Sequence, residues 1–393
     1  MEAVNSPADR GPLALAALAS AAVSGLDPVS VEEVRTGATS RYDVAFVQDT
    51  EHRRWVIRSP RTAAASAQLE QAATLTHLVS RRLRQSVPVV KGWVALPEGG
   101  RAAVYPYLTG RPVELDLLAP GPGLTASLGR ALATVHNLDP AIFDEAGSVS
   151  YDAETYRTRR LADLDRAAAT GRVPTGLLQR WENQLEDVGW WRFSSVPTLG
   201  GVGGDQVLVG EDESGELVVK GFLGWEDARV ADAADDIAEI VAALDEESLE
   251  TFLEAYAHTR SERPDAHLVD RARLAHEMSL VRSMMAAVAA GDLDAAEDHA
   301  SALRRLDEET SAQDLAGAKA RADDGKDADP DDAGALARAS TEDDGDAGAL
   351  ARAKGDDDES ADAESAESSH EESEDLSEAQ PEDPSDGEPE GRR

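Results

Sequence analysis

A change in composition near Leu306 constrains the fold of this chain more than any other feature. From Leu306 to Arg393 the residues are mainly Asp, Glu, Ala, Gly and Ser, and large apolar side chains almost disappear. Such a segment cannot bury enough apolar surface to offset the entropy lost on ordering. The sequence therefore predicts a folded body over residues 1–305 and a disordered acidic tail over residues 306–393.

The net charge of −39 is partly concentrated in this tail, which holds 31 of the 77 acidic residues and 8 of the 38 basic residues. The tail is therefore a candidate site for a basic partner.

An acidic protein repels nucleic-acid phosphates and anionic membranes, so we expect neither as a partner. No stretch approaches the roughly 20 apolar residues of a membrane span, and the apolar run Leu13–Val23 lacks the cationic start of a signal peptide. We expect a cytoplasmic protein.

The absence of cysteine removes several kinds of chemistry. Disulfides, thiolate nucleophiles and Cys-ligated zinc are all excluded. The eight His residues are scattered and show no spacing typical of a metal site. Any catalysis would therefore depend on oxygen and nitrogen groups.

Apolar periodicity predicts a β-rich first lobe followed by a mainly helical second lobe. The first lobe would contain a leading helix, a hairpin, a long helix and two further strands, at Pro12–Ser24, Tyr42–Val47 with Arg54–Arg58, Thr62–Arg84, Val87–Leu96 and Ala102–Leu108. Helices follow from Leu124 to Arg305, interrupted by a β island at Gln206–Trp225. Segregated elements of this kind indicate an α+β fold. We expect a first lobe over residues 1–108, a second over 109–305, and a cleft between them.

Several first-lobe residues are candidates for holding a nucleotide. The small residues of Thr36–Ser40 could bring backbone N–H groups close to phosphate oxygens. Arg58 at the end of a predicted strand could pair with Glu70 on the next helix, as the Lys–Glu pair does in kinases. An ordinary surface salt bridge between them is an equally good interpretation.

The order of six segments is specific to one family. These segments read TGATSRYDV, RRWVIRSPR, VYPYLTGRP, LGRALATVH, DQVLV and GWEDARVADAADDIAEI. Together they resemble the aminoglycoside and macrolide phosphotransferase family over about residues 12–300. The resemblance implies a two-lobed, protein-kinase-like fold that binds ATP or GTP, with Ser40, Arg58, Glu70 and Tyr107 near the nucleotide. Arg58, in place of the more usual kinase lysine, is closest to the macrolide branch.

The same resemblance implies that the catalytic loop is degenerate. Alignment of the strand at Val207–Val209 puts Gly201 at the position of the family's catalytic Asp and Gln206 at that of a magnesium-binding Asn. Gly224 stands where the family has a second magnesium-binding Asp. Glycine supplies neither charge nor a side-chain ligand, so magnesium binding is doubtful. Asp205 and Glu226, one to four positions away, are the candidate substitutes.

The resemblance gives Asp232 and Asp236 a structural role, because these positions anchor loops to a helix start in the family. His136, a single histidine in a predicted helix, receives no chemical role.

Three hypotheses remain open at this point. The first is a degenerate phosphotransferase that acts as a nucleotide- or small-molecule-binding or regulatory pseudokinase. The alternative is an active O-phosphotransferase that uses ATP or GTP and the relocated acids Asp205 and Glu226. In the third, the acidic tail is the functional part and the body carries it.

Overall fold

The computed structural model of the chain describes residues 10–34 and 40–324. The predicted phosphate loop, apart from Ser40, and the acidic sequence beyond Asp324 lie outside the described residues. Within the described part of the chain, no helix combines the length and the apolar character needed to cross a bilayer.

The first lobe is an antiparallel sheet flanked by two helices. Its elements are α1 (Pro12–Ala22), β1 (Pro28–Val34), β2 (Tyr42–Asp49), β3 (Arg54–Pro60), α2 (Ala63–Val79), β4 (Gly92–Ala95) and β5 (Arg101–Pro106). The five strands lie in the order β1-β2-β3-β5-β4. Ala45 and Val47 of β2, with Ile57 of β3, are buried together with Leu15 and Ala19 of α1. The period of two in the strands therefore places one face of the sheet under α1.

The first strand and the lengths of two elements differ from the sequence-based expectation. β1 was not predicted, because Glu32 and Glu33 lie exposed on an edge strand and hide its alternation. The predicted helix over Thr62–Arg84 begins after Thr62, whose side chain accepts from the Ala65 N–H, and ends at Val79. The predicted strand over Val87–Leu96 is limited to Gly92–Ala95.

The second lobe is mainly helical, with two small sheets at the cleft. Its helices are α3 (Leu124–His136), α4 (Pro140–Glu145), α5 (Ala153–Ala168), α6 (Thr175–Glu186), α7 (Ala234–Ala243), α8 (Glu246–Thr259), α9 (Leu268–Ala290) and α10 (Leu293–Asp324). Its strands are β6 (Arg111–Pro112), β7 (Val196–Thr198), β8 (Val207–Glu211), β9 (Leu217–Phe222) and β10 (Arg229–Ala231). β6, β8 and β9 form one antiparallel sheet, and β7 pairs with β10. The predicted α+β arrangement, with its β island, is confirmed.

One hydrophobic core joins α2 to the second lobe. Leu75 and Val79 of α2 are buried with Leu132 of α3, Phe222 of β9 and Ile240 of α7. Burial of such side chains stabilises by about 1.5–3 kcal/mol each. The cleft between the lobes therefore has a fixed inner wall.

The last helix continues past the tail start predicted at Leu306. Leu303 is fully buried, and Leu306 packs against the same core. The Thr310 hydroxyl is mostly buried and donates to the Leu306 carbonyl at 2.8 Å. The acidic composition hid these contacts, because only one face of the helix needs to be apolar.

Gly129 of α3 permits close packing of α3 against α8. A Cβ built at Gly129 would overlap the carbonyl oxygen of Phe252 and lie 3.0 Å from the backbone nitrogen of Tyr256. Both atoms belong to the backbone of α8 and cannot move independently of that helix.

We expect Gly129→Ala to lower the free energy of unfolding by about 1–3 kcal/mol, because the added methyl group forces the two helices apart. Urea unfolding followed by circular dichroism measures the change. Gly210→Ala is the control, since the built Cβ there meets only the Lys220 side chain at 3.4 Å, an ordinary contact. Equal stability of the two variants would contradict the proposed helix contact.

Candidate functional site

A buried carboxylate fixes the loop that follows β7. Asp236 near the start of α7 is fully buried. Its Oδ2 accepts from the Leu199 N–H, and its Oδ1 accepts from the Gly201 N–H, both at 2.7 Å. His136 Nε2 lies 3.1 Å from Asp236 Oδ2, and its Nδ1 lies 2.7 Å from the Tyr256 hydroxyl. Asp236 therefore anchors the loop, as the resemblance implied, and His136 supports it.

Two glycines of this loop, Gly200 and Gly201, adopt conformations that other residues rarely take. Gly200 has φ +88°, and a Cβ there would overlap the Asp227 carbonyl oxygen. Gly201 has φ +127°, and its built Cβ comes no nearer than 4.0 Å to another atom, the Asp235 carbonyl oxygen. Space for a side chain exists at Gly201, but the backbone conformation disfavours one.

Gln206 and Gly224, the two positions matched to magnesium ligands, face each other. The Leu223 N–H donates to the Gln206 carbonyl at 2.8 Å. A Cβ built at Gly224, where φ is +77°, would lie 2.5 Å from Gln206 Nε2. The Gln206 side-chain oxygen accepts from the Gly203 N–H at 3.1 Å. The amide of Gln206 therefore occupies the volume beside Gly224 into which a side chain would extend.

Arginines from the first lobe contact both acids that follow Trp225. Arg58 of β3 forms an ion pair with Glu226, whose side chain is 6% exposed. Arg41 donates through two nitrogens to the carboxylate of Asp227, at 2.8 and 2.6 Å. The pKa of Tyr42 is raised to about 12, mainly by burial and secondly by the nearby negative charge of Glu226. These pairs connect the lobes across the cleft.

The predicted pair between Arg58 and Glu70 is not formed, and this expectation is wrong. Glu70 instead pairs with Arg101 at the start of β5, at 2.8 Å. The hydrogen bond from Arg101 lowers the pKa of Glu70. Sequence reasoning considered only the neighbouring helix as the source of a carboxylate, whereas Glu226 comes from 168 positions further along the chain.

The other predicted cofactor residues of the first lobe, Ser40 and Tyr107, contact neighbouring first-lobe residues. The Ser40 hydroxyl donates to the Tyr42 carbonyl at 2.9 Å, a local contact. The Tyr107 ring is covered by the Arg54 guanidinium at 3.8 Å and meets Phe46 edge-on at 5.7 Å. Tyr107 directly follows β5, where the chain passes from the first lobe to the second.

The described residues do not fit a magnesium site of the family's kind. Among residues 10–34 and 40–324, no three His, Asp or Glu side chains are grouped as metal ligands. Gly201 and Gly224 offer no side-chain oxygen, and Glu226 is already paired with Arg58. Asp205 is exposed, and its neighbouring carboxylate is that of Glu239, since Glu239 Oε2 and Asp205 Oδ1 lie 2.8 and 2.9 Å from a Cβ built at Gly203. Mg²⁺ favours octahedral oxygen coordination, often with one or two carboxylates.

A pocket of about 520 Å³ lies beside the paired acids, between α2, α5 and α9. Its wall contains four arginines that the sequence analysis did not select, namely Arg159, Arg160, Arg229 and Arg282. Arginine is usually exposed, so apolar periodicity gave no signal for these four residues.

Asp235 is the buried carboxylate behind this wall. It accepts from Arg160 at 2.5 Å, from Arg229 at 2.6 Å and from the Tyr156 hydroxyl at 2.6 Å. Burial alone would raise its pKa, but Arg160 and Arg229 outweigh burial and lower the pKa to about 2. Asp235 is therefore expected to be ionised over the whole neutral range.

A double-mutant cycle tests the contact between the lobes. Arg58→Gln and Glu226→Gln should show a coupling energy of about 2 kcal/mol in urea unfolding, because the carboxylate is nearly buried. The matched cycle of Arg101→Gln and Glu70→Gln removes an exposed pair and should give less than about 1 kcal/mol. A larger coupling of Arg58 to Glu70 than to Glu226 would refute the observed pairing.

The Asp235 ion pairs predict a defined pH dependence. Because the folded-state pKa lies below the ordinary value of 3.8, ionised Asp235 stabilises the fold fully above about pH 4, and this contribution is lost as pH falls through 2. Asp235→Asn should therefore cost about 2 kcal/mol at pH 7 and progressively less below pH 4. Urea unfolding at several pH values measures the difference, with the exposed Asp205→Asn as control. A difference that stays constant down to pH 2.5 would contradict this assignment.

Comparison with known proteins agrees with this architecture. The sequence profile of the phosphotransferase enzyme family, APH, matches residues 30–276. An uncharacterized protein of Bacillus subtilis, YcbJ, is 24% identical over 228 residues, which span 55% of this chain and 71% of YcbJ.

Solved structures show the same fold. Apo macrolide 2′-phosphotransferase MphH from Brachybacterium faecium superposes with a TM-score of 0.63 at 24% identity, covering 74% of this chain and 97% of MphH. The GDP complex of wild-type aminoglycoside 2′-phosphotransferase-IIIa gives 0.64 at 14% identity, covering 77% and 100%. At these identities the likeness concerns the two-lobed kinase-like fold alone. Because the profile spans more than half of the sequence, the chain belongs to the phosphotransferase enzyme family.

Proposed function

We propose that this family member binds a nucleotide in the cleft between its lobes and does not transfer the phosphoryl group, so that it acts as a binding or regulatory pseudokinase. One observation carries the proposal. The positions matched to the catalytic acid and to a metal ligand are Gly201 and Gly224, and Gln206 fills the space beside Gly224.

The chemistry of phosphoryl transfer explains why these positions matter. The reaction depends almost entirely on positioning of the groups and on neutralisation of charge around the transferred phosphoryl group. Loss of the group that orients the hydroxyl, together with an anionic metal ligand, removes both contributions. The backbone at Gly201 and Gly224 has positive φ, which further disfavours an acidic side chain there.

The first-lobe arginines support nucleotide binding without a metal. Arg58 and Arg41 present guanidinium groups to the cleft, where they pair with Glu226 and Asp227. A nucleotide's phosphates can replace these carboxylates as acceptors, since guanidinium binds both groups in bidentate geometry. A structural neighbour was solved with GDP bound, which favours ATP or GTP as the ligand.

A second candidate is an active O-phosphotransferase that uses relocated acids. Asp205 favours it, because this exposed carboxylate directly precedes Gln206 and forms no ion pair with a described residue. Glu226 argues against it, since Arg58 already neutralises that carboxylate. An active enzyme would need Mg²⁺ to bring Asp205 and Glu226 into one coordination shell.

Thermal unfolding of the full chain with ATP or GTP, each with and without Mg²⁺, distinguishes the two functions. We expect the nucleotide to raise Tm by a similar amount with and without Mg²⁺, because ligand binding to the native state stabilises it by mass action. We also expect no release of ADP or GDP when Mg²⁺ is present. Asp205→Asn should leave both results unchanged.

Two outcomes would count against the proposal. Mg²⁺-dependent nucleotide turnover that Asp205→Asn abolishes would establish the active enzyme. Failure of both nucleotides to change Tm at millimolar concentration would remove the nucleotide from the proposed function.

A further inference from the structure

The pocket beside the cleft has a wall built largely of guanidinium groups. Arg160 of α5 is 8% exposed, so its position is set by packing. Arg229 of β10 and Arg282 of α9 line the same pocket, and the three arginines come from separate elements of the fold. The charge is therefore gathered by tertiary structure and does not follow from a basic stretch of sequence.

The acids of the pocket do not balance these arginines. Asp163 pairs with Arg166 on its own helix, Glu226 with Arg58, and Asp227 with Arg41. Each lining carboxylate is thus neutralised by an arginine that does not line the pocket. Asp163 also attracts Arg160, so the lining acids neutralise the pocket's own arginines only in part.

Asp235 does not line the pocket, but it forms ion pairs with two of the pocket's arginines. It receives both Arg160 and Arg229, while Arg282 forms no hydrogen bond or ion pair with any residue in the described part of the chain. Three guanidinium groups therefore share a single carboxylate. Arg282 is exposed, so its guanidinium group is accessible to a ligand.

Donor groups remain available toward the pocket. Arg160 uses Nε and Nη2 for Tyr156 and Asp235, and its Nη1 has no hydrogen-bond partner among the described residues. At the rim, the only described contact of Arg159 is with the Tyr151 ring, at 4.6 Å. This contact holds a fourth guanidinium group at the rim of the pocket.

We propose that this pocket binds an anionic small molecule that carries a carboxylate or phosphate group, held by Arg282 together with Arg160 and Arg229. Guanidinium groups bind both of these anions with paired, charge-assisted hydrogen bonds. A pocket of about 520 Å³ admits a small metabolite. A polycationic ligand would face uncompensated positive charge there. The proposal goes beyond the proposed function, because it concerns a wall built by α5, α9 and β10 in the nucleotide-free protein.

Calorimetric titration of the nucleotide-free full chain tests this assignment. The probes are inorganic phosphate and citrate, at an ionic strength fixed with sodium chloride so that general screening is constant. We expect saturable binding of at least one probe. Arg282→Gln should weaken it about tenfold, since a lost charge-assisted hydrogen bond costs about 1.5–3 kcal/mol. Arg282 has no described partner, so the variant should fold.

Arg273→Gln is the matched control. It removes the same charge from the same helix, and Arg273 is exposed like Arg282, but Arg273 lies outside the pocket. Its affinity for the anion should change less than about twofold, as expected for a screened surface charge.

The outcomes separate this proposal from the proposed function. A preference for citrate assigns a carboxylate ligand, and a preference for phosphate assigns a phosphate ligand. Absence of binding by both probes, or equal weakening by Arg282→Gln and Arg273→Gln, overturns the proposal. A third titration uses the aminoglycoside kanamycin, which is a polycation. The proposal is also overturned if kanamycin binds more tightly than phosphate and citrate and if Arg282→Gln strengthens that binding. No titration contains nucleotide or Mg²⁺, so failure of the nucleotide experiment leaves this result intact.

Discussion

Three buried carboxylates at the start of α7 hold the second lobe and the cleft loop together. Asp232 binds Arg271 of α9, Asp235 binds Arg160 of α5 and Arg229 of β10, and Asp236 binds the loop after β7. An isolated buried carboxylate is strongly unfavourable, so each needs its partner. The positive end of the helix dipole favours the acids themselves. One short segment thereby sets the positions of the loop, of two long helices and of the pocket wall.

The cleft inherits its charge pattern from this arrangement. The loop held by Asp236 passes so close to Asp227 that only glycine fits at position 200. Asp227 and Glu226 then lie within reach of the first-lobe arginines Arg41 and Arg58. These two carboxylates join the lobes through their ion pairs and are not free to act as metal ligands. Positive charge remains on the neighbouring pocket wall, where Arg160, Arg229 and Arg282 lie.

The sequence predicted elements where local periodicity carries the signal, and failed where distant residues meet. β2 and β3 alternate clearly, and α3 is amphipathic, so each was found close to its observed bounds. α10 was cut short because acidic composition obscured one buried face. The partner of Arg58 was misassigned because Glu226 is distant in sequence. The arginines of the pocket wall could not be grouped for the same reason, since only folding brings α5, β10 and α9 together.

The contact between Gln206 and Gly224 limits how such a site can change over evolutionary time. The two positions share one volume, so an aspartate at position 224 is compatible only with a shorter or displaced side chain at position 206. The order of substitution therefore matters: a shortening at position 206 opens the space, whereas an acid introduced first at position 224 meets an occupied one. Neither change alone supplies the group absent at Gly201. The side chains at positions 206 and 224 are therefore constrained as a pair, and a change at one position is felt first at the other.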